Sequence, residues 1–525
     1  MKAALLNDSF PPVIDGVANV VMNYARIMTE KNLAEVLVAT PRYPDARYDG
    51  YPYRVVPYKS YDTTNIVKGY RAGNPFAAEA LVEMQEFKPD IIHTHCPVSS
   101  TVLARIIRNE TGAPIIFTYH TKFDQDIAMA VKNKFLQSEG AKILAENISY
   151  CDEVWTVSHG AGENLRSLGY EGDYRVMSNG VDFAKGRVSE KEVREVMKEY
   201  DLKEGVPVYL FVGRIVRYKG LSIIVDAMKR LSDAGEDYRM IFVGNGVDAE
   251  EMKEKARKLG IAVDYRDAEG RMHTGGESTL PGRIIFAGAE RDRNRLRAYN
   301  TAADLFLFPS TYDTNGIVVR EAAACGLASV LIRGSCAAEG ITDGRNGFVI
   351  EENGEAMARL LMKLSKTPEA MHQTGQNAMD EIYISWEDAV KEACERYGEI
   401  MEMKKKGELA VRKKEASDYF MDALARLTEG TEKVFAKPKR EFKAEMQELK
   451  QNMQEFRDGM MENWNEAMDE LHSWGENVSG QLQEKKENMK GQLQEKRENM
   501  KGQLQEKKEE WKEGVSQVVH KKEET

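Results

Sequence analysis

The sequence is poor in cysteine, has no long apolar run and carries no excess of positive charge. Its five cysteines are odd in number and form no Cys-x-x-Cys pair, which argues against a disulfide framework or a structural zinc site and favours a reducing cytoplasm. No segment approaches the roughly 18 uninterrupted apolar residues of a transmembrane helix, and the first apolar run is too short for a signal peptide. The net charge of −11 argues against general nucleic-acid binding, which needs a basic surface.

Short apolar runs alternate with helical patterns through most of the chain. With 525 residues, 42% of them hydrophobic, the chain is long enough for two large domains and an appendage. In the first half the runs span residues 3–6, 35–39, 90–93, 115–119, 154–157 and 174–177. The alternation predicts an α/β fold in which helices wrap a parallel sheet, with ligands expected at the carboxyl ends of the strands.

A glycine follows the first predicted strand at the start of an amphipathic helix. Two prolines form a loop, and Asp15-Gly16-Val17 then opens the helix. Gly16 would let a phosphate or a sugar lie against the backbone, although a simple capping turn explains the same residues.

Three histidines follow or end two other predicted strands of the first half. His93 and His95 lie two residues apart, hence on one face of a strand, and no third metal ligand is evident, so both are expected to form hydrogen bonds. His120 stands at the tip of its strand. It could donate to a sugar hydroxyl or contact an acceptor, or it could be a satisfied histidine at a strand end.

The second half starts again with a strand that ends in a glycine-rich turn. A charged helix, 189–200, links the halves, and the strand 206–212 leads into the sequence GRIVRYKG before another helix. Arg214 and Lys219 emerge at this turn. Two cations at a helix start suit a diphosphate, as a planar fork and a point charge, although a solvated surface pair is the alternative. Farther on, 264–283 is polar and glycine-rich and is expected to be an inserted loop.

The stretch 306–340 carries the strongest motif. A buried strand ends at residue 308, a turn-rich segment follows, and a helix begins at Ile317. Asn315 and Gly316 would let a ligand approach the free N–H groups at that helix start, which favour an anionic or polyhydroxyl group. Asp313 before the helix and Glu321 within it bracket the same turn.

The motif resembles the signature of the retaining family-four glycosyltransferases. In both, an acidic residue, here Asp313, precedes a glutamate, here Glu321, by seven intervening residues, and an alanine-rich helix and Cys-Gly follow. Asp313 stands where glutamate is commonest in that signature. The sequences NDSFPPVIDGVANVV and TYHTKF resemble those of bacterial diacylglycerol glucosyltransferases. The resemblance covers residues 1 to about 403.

This resemblance implies a GT-B fold, with two Rossmann-like, doubly wound domains facing a cleft. Residues 1–185 would bind the acceptor, 200–385 would bind the nucleotide sugar, and 386–403 would form a helix that crosses back to the first domain. The class needs no permanently bound cofactor and no obligatory metal, and no acidic pair for a metal is evident.

The resemblance also implies roles for the motif residues. Arg214 and Lys219 would stabilise the departing diphosphate, and Glu321 would hold the ribose. The donor sugar would be held by Asp313 and by the backbone amides of Asn315, Gly316 and Ile317. His120 and Gly16 would complete the reaction centre.

The reaction expected from this resemblance is the transfer of glucose from UDP-glucose to diacylglycerol. One alternative is a mannosyl- or other hexosyltransferase that acts on a polyprenyl-linked or other glycan acceptor. Another is a lipid-binding scaffold without catalysis.

Residues 404–525 differ from the rest and are expected to form a long amphipathic helical tail. An eleven-residue repeat based on GQLQEKKENMK runs through 480–512 and aligns an apolar stripe that consists of Leu482, Met489, Leu493, Met500, Leu504 and Trp511. Lysines border the stripe, and glycines fall on the opposite face. This arrangement favours a helix on a membrane surface, at the inner face of the cell membrane, over a self-associating coiled coil or a solvated helix.

Overall fold

The structure, a computed structural model, describes residues 1–13, 15–63, 69–123, 127, 134–275 and 278–409. The predicted tail lies outside the described residues from position 410 onward. Within the described ranges, no helix is both long enough and apolar enough to cross a bilayer.

The first half of the chain alternates strands with helices. Its elements are β1 (Lys2–Leu6), α1 (Gly16–Glu30), β2 (Glu35–Pro41), β3 (Arg54–Tyr58), β4 (Ser60–Asp62), β5 (Arg71–Gly73), α2 (Ala78–Phe87), β6 (Ile91–Thr94), α3 (Ser99–Thr111), β7 (Ile115–Tyr119), α4 (Lys134–Ser149), β8 (Glu153–Thr156), α5 (His159–Ser167) and β9 (Arg175–Val176). The strand order of the main sheet is β3-β2-β1-β6-β7-β8-β9, and these strands pair in parallel. β4 and β5 form a separate antiparallel pair. The carboxyl ends of β6 and β7 therefore lie side by side and carry His95 and His120.

The second half repeats this pattern after the linking helix α6 (Glu190–Glu199). Its elements are β10 (Val208–Val212), α7 (Leu221–Asp233), β11 (Arg239–Val243), α8 (Ala249–Lys258), β12 (Ala262–Arg266), β13 (Met272–His273), β14 (Arg283–Gly288), α9 (Arg293–Ala302), β15 (Leu305–Phe308), α10 (Ile317–Ala324), β16 (Ser329–Ile332), β17 (Phe348–Ile350), α11 (Gly354–Leu364), α12 (Pro368–Glu381) and α13 (Trp386–Lys406). The sheet order is β13-β12-β14-β11-β10-β15-β16-β17, and β10 pairs with β15 in parallel. The predicted α/β architecture is confirmed.

The expectation of an inserted loop at 264–283 is wrong at both ends of that segment. Asp264 belongs to β12, which pairs in parallel with β14, and β13 adds an antiparallel strand at the sheet edge. Asp264 is buried and accepts two hydrogen bonds from Arg283 Nη1, at 2.7 and 2.8 Å. Two of the polar residues that suggested a loop, Asp264 and Arg283, thus form an ion pair that joins the two strands.

Helix α13 returns to the first half of the chain. Trp386, Val390, Ala393 and Tyr397 are buried in one apolar cluster with side chains of α1 and of the first sheet. Ser385 caps its first turn, and the helix ends at Lys406, three residues beyond the predicted 403, with Gly407 as its left-handed C-cap. Because the helix covers the first sheet after the chain has completed the second, it ties the two halves together.

Candidate active site

Two loops of the second half meet where β10 and β15 end. Gly220, which closes the short 3₁₀ turn Arg217–Lys219, has φ of 73°, and a Cβ at this position would lie 2.3 Å from the carbonyl oxygen of Pro309. Only glycine permits both this conformation and this approach. The contact sets the turn that carries Lys219 directly against the loop that carries Asp313.

The two predicted residues Lys219 and Asp313 form an ion pair. Lys219 Nζ lies 2.7 Å from Asp313 Oδ1, and the side chains are 12% and 23% exposed. The other carboxylate oxygen accepts a hydrogen bond from Ser310 Oγ. The site therefore holds a cation and an anion in fixed positions at the carboxyl edge of the second sheet, where this fold class binds ligands.

Arg214 lies on the same turn as Lys219 but differs from it in exposure and in bonding. It is exposed, and its guanidinium donates to the hydroxyl of Tyr218 at 2.9 Å. Within the part of the chain that the structure describes, no carboxylate pairs with it. Its charge is consequently available to an anion from solution, such as a diphosphate.

Helix α10 begins beside this pair. Its N-cap, Gly316, is left-handed and supplies no side-chain acceptor to the first amides of the helix. The predicted free helix start, at Ile317, is therefore compatible with a polar ligand.

Glu321, one turn into α10, is 7% exposed and pairs with Arg293 at 2.6 Å. Burial raises the pKa of the Glu321 carboxyl, and the charge of Arg293 opposes that rise. Arg293 also lies over the ring of Phe183, with 4.5 Å to the ring centroid. The carboxylate is thus held in place from the side of α9.

The loop before α10 also contacts the first half of the chain. Thr314 Oγ1 donates to the carbonyl of His120 at 2.7 Å, and Ser158 Oγ donates to the carbonyl of Thr314. Asn315 Nδ2 donates to the carbonyl of Val157 at 3.1 Å. The Asn315 side chain therefore bonds the second half to the first. Its predicted contact with a sugar rests on its backbone amide alone.

The three histidines of the first half form a buried cluster. His93 bonds through Nδ1 to Tyr397 and through Nε2 to Thr118, each at 2.6 Å. His95 Nδ1 lies 3.0 Å from His120 Nε2. Burial lowers the pKa of His120 to about 4 and moves the pKa values of His93 and His95 well below their usual range. These shifts favour the neutral form of all three side chains near pH 7, which is the form that His120 needs to donate to a sugar hydroxyl.

Gly16 opens α1 as predicted, and both interpretations of it fit. Asp15 Oδ1 accepts from the amide of Ala18 at 2.7 Å, which is a capping bond, while Oδ2 accepts from Tyr70. A Cβ on Gly16 would meet nothing within 4 Å among the described residues, so the backbone there is open to approach. The charge of Asp15 also acts on His120, whose pKa it raises against the larger effect of burial.

Sequence reasoning also missed a carboxylate contact between the halves. Glu339 accepts hydrogen bonds from the amides of His159 at 2.7 Å and Gly160 at 2.6 Å, at the start of α5. Ser158 caps the next amide, at Ala161. The serine after a predicted strand indicates a helix start, but nothing local indicates that a carboxylate from the other half completes it.

Among the described residues, no group of three or more His, Cys, Asp or Glu side chains could hold a metal ion.

Comparison with known proteins agrees with this architecture. Residues 14–185 match the family model described as Glycosyltransferase Family 4, and residues 206–367 match the model described as Glycosyl transferases group 1. Anabaena Alr3699/HepE, solved in complex with UDP, is 17% identical with a TM-score of 0.56, over 76% of this chain and 100% of that one. The same protein in complex with UDP-glucose gives a TM-score of 0.55, which again shows the fold.

Several curated relatives align over most of their length. Alpha-monoglucosyldiacylglycerol synthase of Acholeplasma laidlawii is 24% identical over 394 residues, 72% of this chain and 92% of the relative. The synthase of the same name from Streptococcus pneumoniae is 22% identical over 386 residues, 73% of this chain and 82% of the relative. A GDP-mannose-dependent phosphatidylinositol dimannoside mannosyltransferase of Mycobacterium tuberculosis is 23% identical over 321 residues, 61% and 76% of the two chains.

The fold and the matches to the family models together define a glycosyltransferase with the GT-B fold. Within that class, the chain belongs to glycosyltransferase family four, and it resembles the diacylglycerol glucosyltransferases.

Proposed function

We propose that this enzyme moves a hexose from a nucleotide sugar to a membrane lipid, with glucose from UDP-glucose and diacylglycerol as the preferred pair. The observation that carries the proposal is the cationic turn at Lys219 and Arg214 beside Asp313 and the uncapped start of α10. A departing diphosphate needs fixed positive charge, and the reacting sugar beside it needs fixed acceptors and donors.

Arg214 and Lys219 would share the diphosphate. The charge on its leaving oxygen grows as the glycosidic bond breaks, so cations placed beforehand lower the barrier of the chemical step. Lys219 is already held by Asp313, whereas Arg214 is exposed and free to close on the phosphate.

The remaining site residues would bind the ribose and the hexose of the donor. Glu321, held by Arg293, would accept hydrogen bonds from the ribose, and Asp313 with the amides of Asn315, Gly316 and Ile317 would hold the hexose. In this arrangement the sugar lies toward the first half, where His120 and Gly16 would complete the reaction centre.

The choice of donor and acceptor rests on the relatives. Two are named for the synthesis of monoglucosyldiacylglycerol, and the related fold of Anabaena Alr3699/HepE was solved with UDP-glucose. The product of a family-four enzyme is expected to retain the anomeric configuration of the donor. The mannosyltransferase relative supports a second candidate, a GDP-mannose enzyme with a glycolipid acceptor.

A lipid acceptor requires the enzyme to work at a bilayer surface. We propose that the apolar stripe of 480–512 binds the inner face of the cell membrane, which would make this a peripheral enzyme. Between 441 and 525 there are 14 Lys and Arg against 20 Asp and Glu, so burial of the stripe, rather than attraction to anionic lipid, would supply most of the binding energy.

The test is a transfer assay on the full chain. Purified protein is incubated with UDP-glucose, UDP-galactose or GDP-mannose and with vesicles that contain diacylglycerol or phosphatidylinositol, and the lipid products are weighed by mass spectrometry. Glucosyldiacylglycerol formed only with UDP-glucose supports the proposal, and the anomeric proton coupling of the product reports retention. Mannosylated lipid formed only with GDP-mannose would favour the second candidate.

A further inference from the structure

Two of the buried histidines share a single hydrogen bond at the edge of the first sheet. His95 follows β6 and His120 follows β7, and these neighbouring parallel strands bring the rings within 5.2 Å at an interplanar angle of 23°. The backbone amide of His95 is itself fixed by the carbonyl of Leu6 at 2.9 Å. The bond between His95 Nδ1 and His120 Nε2 is therefore built into the strand register.

A neutral imidazole has one N–H and one bare nitrogen, so the shared bond has two forms. In the first, His95 donates from Nδ1, and His120 carries its proton on Nδ1. In the second, His120 donates from Nε2, and the proton of His95 must sit on its own Nε2. Each form leaves one N–H without a partner, but on a different ring.

The surroundings of the two remaining nitrogens decide between these forms. His95 Nε2 and His120 Nδ1 are both buried and have no hydrogen-bond partner among the described residues. His95 is 2% exposed and its ring is tilted against that of His93, with ring centroids 4.0 Å apart, whereas His120 is 9% exposed at the end of its strand. A buried N–H without a partner is costly. The N–H is therefore better placed on His120, where a bound ligand can satisfy it, than on His95.

We infer that His95 is a positioning residue that donates to His120 and fixes it as the Nδ1–H form, so that His120 presents a hydrogen-bond donor to an oxygen of the substrate. The identity of that oxygen as one from a sugar or an acceptor hydroxyl rests on the proposed function. The tautomer itself does not.

A consequence for the reaction follows from this assignment. An imidazole whose Nε2 accepts from His95 and whose Nδ1 carries a proton has no free lone pair. His120 therefore orients an oxygen by donating to it and does not remove the proton of the attacking hydroxyl.

The direct test is nitrogen-detected NMR of the full-length protein with labelled histidine and no substrate. The two ring nitrogens of a neutral histidine have well separated shifts that report which one carries the proton. We expect His120 in the Nδ1–H form, and we expect His95→Phe, which keeps a ring but removes the donor, to change the His120 signals toward the Nε2–H form. Substitution of His93 by Phe is the matched control, because His93 bonds to Tyr397 and Thr118 and should leave the His120 tautomer unchanged.

Activity gives a second, independent measurement. The amide nitrogen of asparagine corresponds in bond distance to Nδ1, and that of glutamine to Nε2. We therefore expect His120→Asn to keep about tenfold more turnover than His120→Gln, and His95→Asn to rescue most of a loss of about tenfold caused by His95→Phe.

The outcomes separate the two proposals. His120 found as Nε2–H in the wild-type protein, or unchanged in His95→Phe, overturns the inference, and the wild-type spectrum decides the matter even if His95→Phe does not fold. His120 found as Nδ1–H in a protein that glycosylates no lipid supports the inference and contradicts the proposed function instead.

Discussion

At the scale of single residues, ion pairing separates the two cations of the proposed phosphate site. Lys219 is mostly buried and bonded to Asp313, whereas Arg214 is exposed and, among the described residues, bonded only to a tyrosine hydroxyl. Removal of a partner from a partly buried ion pair leaves a charge that is poorly solvated. The same substitution should therefore have different effects on stability at the two positions.

We expect Lys219→Ala and Arg214→Ala each to lower turnover by about 100-fold, because each removes a charge that stabilises the leaving group. Lys219→Ala should in addition lower the free energy of unfolding by about 1–3 kcal/mol. Arg214→Ala should leave it almost unchanged. Steady-state kinetics and urea unfolding measure the two quantities.

Arg217 provides the matched control for these cations. It lies on the same turn, is 70% exposed and pairs with Glu251 rather than with the site. Arg217→Ala should leave both turnover and stability near those of the parent, since exposed ion pairs contribute little. If Arg217→Ala reduced turnover as much as Lys219→Ala, the charge of the whole turn rather than a specific phosphate contact would be responsible.

The buried histidines predict a dependence of stability on pH. Their folded pKa values lie below that of histidine in an unfolded chain, which is about 6.5, so the unfolded state binds more protons as the pH falls. The contribution of His120 is present above pH 6.5 and is lost progressively down to its folded pKa of about 4. Near pH 5.5 His120 alone should have lowered the free energy of unfolding by about 1.4 kcal/mol, and His93 and His95 should act in the same direction.

This dependence is checked by urea unfolding at pH 7.5 and 5.5. His120→Asn should reduce the change in the free energy of unfolding between the two pH values by the contribution of one histidine. His159→Asn is the control, because His159 is exposed and loses little hydration on folding. Equal pH dependence in the parent and in His120→Asn would contradict the assignment of His120 as a neutral buried group.

At the scale of elements, the start of α5 is completed by the opposite half of the molecule. Its first two amides donate to Glu339, and the third donates to Ser158. Gly160 is required here, since a Cβ would lie 2.5 Å from Cys336 Sγ. A carboxylate at a helix N-terminus interacts favourably with the helix dipole. This contact therefore favours the arrangement in which the two halves meet.

We expect Glu339→Ala to weaken that arrangement. The radius of gyration measured by small-angle X-ray scattering should increase, and the KM for the nucleotide sugar should rise several-fold, because loop 309–316 is anchored to the first half beside this contact. Glu352→Ala removes an exposed carboxylate from the same half of the chain and is the control. An unchanged radius of gyration together with an unchanged KM in Glu339→Ala would show that the contact does not hold the halves together.

The elements that the sequence predicted are those with a continuous apolar run. The strand at Leu305–Phe308 and the helix start at Ile317 fall where they were expected, as does the linking helix that Ser189 caps. β3 was missed because Pro57 interrupts its pattern, which an edge strand tolerates. The end of β12 was predicted as part of a loop because Asp264 is charged. Its charge is neutralised by Arg283, a partner 19 positions away that no local pattern indicates.

The candidate site, like the fold, could be predicted only where a local sequence pattern carries the information. Lys219 and Asp313 belong to local motifs, and their proximity follows from the adjacency of β10 and β15. The bond between His95 and His120 and the contact of Glu339 with α5 depend on strand register and on how the halves meet. No local pattern encodes those relations, so sequence reasoning identified His120 but not its partner.

At the scale of the whole molecule, the described residues contain both sheets, the loops between them and the returning helix α13, which ends at Lys406. The candidate site is therefore complete before the predicted tail begins its repeats. Under the proposed function, we therefore expect the tail to affect access to a lipid acceptor rather than the chemistry.

Deletion of residues 436–525 should accordingly leave a folded enzyme that binds nucleotide and acts on acceptor dispersed in detergent, but acts poorly on acceptor in vesicles. Because the tail is acidic overall, added salt should release the full-length protein from vesicles only weakly, unlike a polybasic anchor.

A peptide spanning 478–518 should show little helix by circular dichroism in water, since its repeated glycines each cost about 1 kcal/mol, and a large gain in helix on addition of vesicles. A peptide that is already helical in buffer, associates with rising concentration and does not respond to vesicles would instead identify a coiled coil, and the loss of activity on vesicles after deletion would then have to come from lost self-association.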